Sequence, residues 1–146
     1  MANGIRAVPE KPQRQKIAEL ARRNVFRFAR AMHPKAIIAS DVDIAEGVEV
    51  MAGAVIQPSS KIGQDSIINT GALMDHDCLI SDNCHIAPGA TLSSSVNIGR
   101  NSNIGTSAQI IHNIVVRSHS ISAAGSTVYK NVPDNVIIKN KMQKIF

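Results

Sequence analysis

The apolar residues of this chain return at every sixth position. Stepping by six from Ile38 gives Ile44, Val50, Ile56, Ile62, Ile68, Met74, Ile80, Ile86, Leu92, Ile98, Ile104, Ile110, Val116, Ser122 and Val128. Of these sixteen positions, fourteen are Ile, Val or Leu, one is Met and one is Ser, and the register never slips. Two residues before each lies a second series, small or β-branched, that includes Ala54, Ser66, Ala72, Cys78, Cys84, Ala90 and Ala108. An amphipathic helix needs a period near 3.6 and a half-buried strand a period near 2. A period of six fits neither. It predicts a short strand and a turn, repeated, with the aliphatic side chain inward. Units of this kind bury a continuous core only by stacking.

Residues 5–32 do not carry the repeat. Residues 5–8 read as a short strand, and Pro9 and Pro12 bracket a turn. Residues 13–24 read as a helix with Ile17, Leu20 and Ala21 on one face. Residues 25–32 alternate Phe26 and Phe28 with Arg27 and Arg30, as a strand would. A strand-helix-strand fragment this small has no core of its own, so it should lie against the first coil and cap it. At the far end Lys130-Asn131-Val132-Pro133 leaves the repeat, and a tail with Lys139, Lys141 and Lys144 follows. The expected division is a cap at residues 1–33, the repeat at 34–132 and a basic tail at 133–146.

Composition narrows the core. Hydrophobic residues make up 44% of the chain, yet aromatic residues only 3%. Ile, Val and Ala must therefore supply the bulk that Phe, Tyr and Trp usually supply, which favours thin repeating layers. The net charge of +5 suits an anionic ligand. Nucleic acid is disfavoured, because base-stacking aromatics and recognised binding motifs are lacking. No apolar run is long enough to span a bilayer, and the first sixteen residues lack the apolar stretch of a signal peptide. No membrane association and a cytoplasmic location are expected. Cys78 and Cys84 both occupy the small slot, which predicts buried reduced thiols rather than a disulfide or a metal pair.

His76 is the residue best suited to chemistry. It stands two residues past an inward position, at the start of a turn, between Asp75 and Asp77. Acyl transfer from a thioester requires the attacking amine or hydroxyl to lose a proton, and a neutral imidazole near pH 7 suits that task. An adjacent carboxylate can fix its tautomer and raise its basicity.

The sixfold pattern resembles the hexapeptide-repeat acyltransferases. That resemblance implies an all-β, left-handed parallel β-helix in which three hexads make one triangular coil, hence about five coils. General crossover preferences would have favoured the opposite hand. Three segments are more specific. His33-Pro34-Lys35-Ala36-Ile37-Ile38 looks like the HPxAxI opening of the sugar acetyltransferases that modify sialic acid or nucleotide-linked amino-sugars. The run Asn69-Thr70-Gly71-Ala72 followed by His76-Asp77-Cys78 looks like the NTGAxxxHDC segment of that family, and His85-Ile86-Ala87-Pro88-Gly89-Ala90 looks like its HIAPGA segment.

The resemblance implies a homotrimer that moves an acetyl group from acetyl-CoA to a sugar amine or hydroxyl, with no metal. His76 would be the general base and Asp77 its carboxylate partner, with Asp75 the alternative. His85 resembles the residue that meets the thioester end of acetyl-CoA, and Asn69 the one that helps hold the acceptor. Thr106 and Ala124 would offer backbone contacts to the pantetheine arm, and Gly105 would permit close approach. Lys130, Lys139 and Lys141 would meet the phosphates. His33 and His119 read as turn residues.

Two other readings stay open. A γ-class carbonic anhydrase shares this fold and uses histidines from two subunits. His112 follows His76 by two coils with Ser94 between, but Arg117 stands where a third ligand would fall, and catalytic zinc wants three protein ligands. A non-catalytic scaffold, or a partner of a separate acceptor-binding subunit, is the other. Most of the relatives' nucleotide-sugar-binding N-terminal domain has no counterpart here. Arg117, Ser122 and Ala123 replace Gly, Ile and Gly, and Lys139-Asn140-Lys141 replaces Gly-x-Pro.

Overall fold

A computed structural model describes residues 13–139. Each hexad forms a two-residue strand and a corner, and eighteen such strands build three parallel sheets. The first face runs Ala31–Met32, Glu49–Val50, Ile67–Ile68, His85–Ile86, Asn103–Ile104, Ile121–Ser122 and Ile137–Ile138. The second contains Ile37–Ile38, Val55–Ile56, Leu73–Met74, Thr91–Leu92, Gln109–Ile110 and Thr127–Val128. The third contains Asp43–Ile44, Lys61–Ile62, Leu79–Ile80, Asn97–Ile98 and Val115–Val116. Partners lie eighteen residues apart, as Ile86 lies opposite Ile68 and Ile104. The coils fit a left-handed β-helix of about six turns.

Alternation within each strand sorts the side chains. The second residue points inward, so Ile68, Ile86 and Ile104 have no exposed surface. The first points outward, as with Lys61 and Leu79. The small slot turns inward beside them. In the middle coils, where it holds Ser or Cys, the side chain donates to a carbonyl fifteen residues on: Ser66 Oγ to Ser81 at 2.9 Å, Cys78 Sγ to Ser93 at 3.3 Å and Cys84 Sγ to Gly99 at 3.2 Å. Both thiols are free and buried, and burial pushes Cys84 up to about 12 and Cys78 upward as well. They serve as packing, protonated and unreactive at neutral pH.

From Gly47 to Gly125 each corner turns through a left-handed residue. Asp65, Asp77, Asn83, Asn101 and Asn113 take φ between 56° and 60°, a region that Asn and Asp tolerate because a short polar side chain can bond locally. The polar step in the aliphatic series is also satisfied. Ser122 Oγ lies 2.6 Å from Ser126 Oγ, which in turn donates to the Ala123 carbonyl at 2.8 Å. A buried hydroxyl pair replaces one aliphatic contact without leaving an orphan.

The ends depart from expectation. Past Val128 the repeat shortens by two residues rather than leaving the column: Val132 bridges Val116, and Ile137–Ile138 pairs with Ile121–Ser122 at an offset of sixteen. At the other end the helix covers Gln13–Arg23, but it buries Arg14 and Ala18 and leaves Ile17 and Leu20 exposed. Ion pairing decides this. Arg14 reaches Glu49 at 3.0 Å, and Arg22 grips Asp65 through two bonds of 2.6 and 3.0 Å. The Asp65 side chain is only 2% exposed, and a buried carboxylate is costly without its cation. The helix therefore lies along the outer wall of the first face, beside two successive coils. Of residues 25–32 only Ala31–Met32 is a strand. Residues 5–8, Lys141 and Lys144 fall outside the described residues.

Candidate active site

His76 and Asp77 are the two turn residues of the corner between the second and third faces. The corner is held from below, where the Asp77 N–H donates to the Pro58 carbonyl at 3.1 Å, and from above, where Ser95 N–H donates to the His76 carbonyl at 3.0 Å. Asp75 Oδ1 accepts the His76 backbone N–H at 2.8 Å, and Asp77 Oδ2 lies 2.7 Å from His76 Nδ1. The carboxylates thus divide their work. Asp75 fixes the turn and Asp77 fixes the ring. Because a carboxylate only accepts, Nδ1 carries the proton and Nε2 keeps its lone pair. The imidazole is half exposed, so Nε2 can meet a solute.

The Asp77 hydrogen bond holds the His76 pKa above the ordinary 6.5, with the charges of Asp75 and Asp77 adding to the effect and partial desolvation opposing it. Asp77→Asn removes the charge that favours imidazolium. The His76 ring resonances are then expected to titrate at lower pH than in the parent protein. An unchanged NMR titration curve would show that Asp77 does not control this imidazole.

Asn69 and His85 form a second cluster. Asn69 follows Ile67–Ile68 on the first face, and His85 opens the strand directly above that pair. Asn69 Oδ1 accepts from Thr70 N–H at 2.7 Å, which turns its amide nitrogen toward His85 Nε2 at 3.1 Å. The spacing of sixteen, one coil less two, is the signal in the sequence for this contact. Thr106 and Ala124 stand above Thr70 in the same corner, joined by a bond from Gly125 N–H to the Thr106 carbonyl at 2.8 Å. Both are exposed.

Gly105 is different. It is buried, and a Cβ there would lie 2.5 Å from the Ser122 carbonyl oxygen and 2.7 Å from Ala124 N. Its missing side chain admits the chain's own next coil, which corrects the expectation that it makes room for a cofactor. Lys130 belongs to the corner of His76, not to that of Thr106 and Ala124. The predicted residues therefore fall into two groups, one on the first face and the corner that joins it to the second, the other at the corner between the second and third faces. Among the described residues, no three His, Cys, Asp or Glu side chains gather where they could hold a metal. No described helix is long and apolar enough to cross a membrane.

Comparison with known proteins gives a consistent pattern. No protein-family model matches the chain, and no curated protein matches it. Solved structures do. Perosamine N-acetyltransferase from Caulobacter crescentus, solved with CoA and GDP-perosamine, is 37% identical over 90% of this chain, with a TM-score of 0.86. The acetyltransferase domain of PglB from Neisseria gonorrhoeae is also 37% identical over 90%, with a TM-score of 0.86. WeeI from Acinetobacter baumannii is 26% identical over 90%, with a TM-score of 0.85. The chain spans 62% of the length of the first and 64% of the other two. At 37% identity over 90% of its length, and with the same solenoid, the chain is similar to the greater part of perosamine N-acetyltransferase and of the PglB acetyltransferase domain.

Proposed function

We propose that the protein transfers the acetyl group of acetyl-CoA to the amine of a nucleotide-linked amino-sugar. One observation carries this reading. An outward imidazole is oriented by a carboxylate at 2.7 Å, in a chain 37% identical to two acetyltransferases, one of them solved with CoA and GDP-perosamine.

The chemistry follows from the free Nε2. The acceptor nitrogen attacks the thioester carbon while Nε2 takes one of its protons. A C–N bond forms, the carbonyl electrons move onto oxygen, and His76 becomes imidazolium beside Asp77. Collapse of this intermediate breaks the C–S bond, and the leaving thiolate takes the proton back from His76. The products are an amide and free CoA thiol. Asp77 favours the imidazolium, so the base is strongest as charge develops.

A trimer completes the site in this reading. His85 and Asn69 on the first face, with Thr106 and Ala124 at the corner that follows, lie on one side of the second face and His76 on the other, so no single copy surrounds a substrate with both. A neighbouring copy that lays its first side against the other side of this chain forms one groove from the two groups.

The test is thiol release from acetyl-CoA against matched acceptors. A nucleotide-linked amino-sugar is expected to release CoA, and its hydroxyl counterpart to release far less. Release with the hydroxyl sugar alone would reverse the N-transfer reading, and release with no acceptor would defeat the reading as a whole.

A further inference from the structure

The contact between Asn69 and His85 decides which nitrogen of that ring carries the proton. We propose that Asn69 is a positioning residue: it locks His85 with the proton on Nδ1, so that this histidine meets a ligand as a hydrogen-bond donor and not as a second base. The lock itself needs no acetyl transfer; its use in turnover rests on that reading.

Thr70 fixes the amide. A backbone N–H can only donate, so the Asn69 atom that accepts it at 2.7 Å is the oxygen. The other end is then the NH2, which has hydrogens and no lone pair to offer. It stands 3.1 Å from His85 Nε2. A donor facing a ring nitrogen requires a lone pair there, so Nε2 is bare and the neutral ring holds its proton on Nδ1. The flipped amide would set the Thr70 N–H against the NH2, two donors face to face.

Both residues start from fixed backbone. Asn69 N–H donates to the Ile86 carbonyl at 2.9 Å, and the Asn69 carbonyl accepts from Ala72 N–H at 3.0 Å. His85 N–H donates to the Ser102 carbonyl at 3.0 Å. Side chains carried on rigid strand ends lose little freedom when they meet. The neighbours of His85 in register do not compete for Nε2. Ile67 below has no polar side-chain atom, and above, Asn103 Oδ1 accepts no bond among the described residues. The two imidazoles of the site thus share a tautomer and differ in use. At His76 the carboxylate takes the N–H and leaves the lone pair. At His85 the amide takes the lone pair and leaves the N–H for other contacts.

Long-range 1H–15N NMR on the full chain, under mildly alkaline conditions that keep the ring neutral, reads the proton directly. His85→Gln identifies its signals among those of the five histidines. The parent is expected to carry the proton on Nδ1. Asn69→Asp should move it to Nε2, because the carboxylate that replaces the amide can only accept. Asn69→Ala should move it too, to the Nε2 form that an unconstrained imidazole prefers in water. A parent with the proton on Nε2, or an Asn69→Asp ring unchanged from the parent, would overturn the lock and leave the transferase reading untouched. Thiol release from acetyl-CoA tests the role. Asn69→Asp should slow turnover about tenfold, the scale of one lost hydrogen bond, and should cause no further loss in His85→Ala. Losses that multiply would show that Asn69 touches the acceptor itself, and would end its role as a positioning residue. A parent with the proton on Nδ1 that releases no CoA with any acceptor would keep the lock and defeat the transferase reading.

Discussion

His76→Ala is expected to lower acetyl-CoA turnover by about 10²- to 10⁴-fold, the usual contribution of a positioned general base. The side chain is exposed and makes its one side-chain bond to Asp77, so stability should change by less than about 0.5 kcal/mol. Steady-state kinetics and a melting curve on one preparation separate the two effects. On the proposed function, the parent protein should lose activity as the pH falls through the His76 pKa, because protonation removes the Nε2 lone pair. Since that pKa is raised, the acid limb should lie above pH 6.5. A variant that keeps most of its rate, with the same acid limb, would rule out His76 as the base. The shared-site geometry can be checked with the same variant. Mixing His76→Ala with His85→Ala copies under conditions that allow exchange should restore part of the activity each lacks alone.

The second large effect concerns the column. Lys61 and Ile62 are neighbours on one strand, with Lys61 exposed and Ile62 only 2% exposed. Ile62→Ala removes three buried methyl or methylene groups from a layer that cannot collapse along its axis. It should cost about 2–5 kcal/mol, whereas Lys61→Ala should stay within about 0.5 kcal/mol. Denaturant midpoints measure both. Near-equal effects would mean that the inward and outward positions of the strand have been exchanged.

Much of this could be read from the chain alone, because a two-residue strand leaves little room for ambiguity. Ile62 and Ile86 recur at a spacing that only a short strand with a turn can satisfy, and the small slot at Cys78 and Cys84 follows from the same spacing. The handedness could not be deduced in this way and came from resemblance. The helix was misjudged because hydrophobicity pointed to Ile17 and Leu20 as its buried face. The buried carboxylate of Asp65 needs Arg22, and no local pattern announces a partner 43 residues away. Past Val128 the shortened repeat carries no periodic signal, so its return at Ile137–Ile138 was missed.

The site was legible in part. Adjacency offered both Asp75 and Asp77 as partners of His76, and the choice of Asp77 came from resemblance. The two roles of the flanking carboxylates were not separable, since only the left-handed backbone at Asp77 swings that side chain back to the ring while Asp75 turns to the peptide nitrogen. Gly105 was misread because a glycine near a site invites a ligand, whereas Ser122 and Ala124 of the next layer claim the space.

The eighteen-residue register between strands carries a rule for how such a protein can change length. A whole extra storey inserted below Asp43 or above Val116 would leave every vertical alignment at the active level intact. An insertion of any other size within the column would rotate all later corners around the shaft, and the residues now stacked above His76 would leave its column. Growth and shrinkage of this molecule are therefore quantised. Among the described residues, the two-residue deficit after Val128 shifts the register of Val132 and Ile137–Ile138.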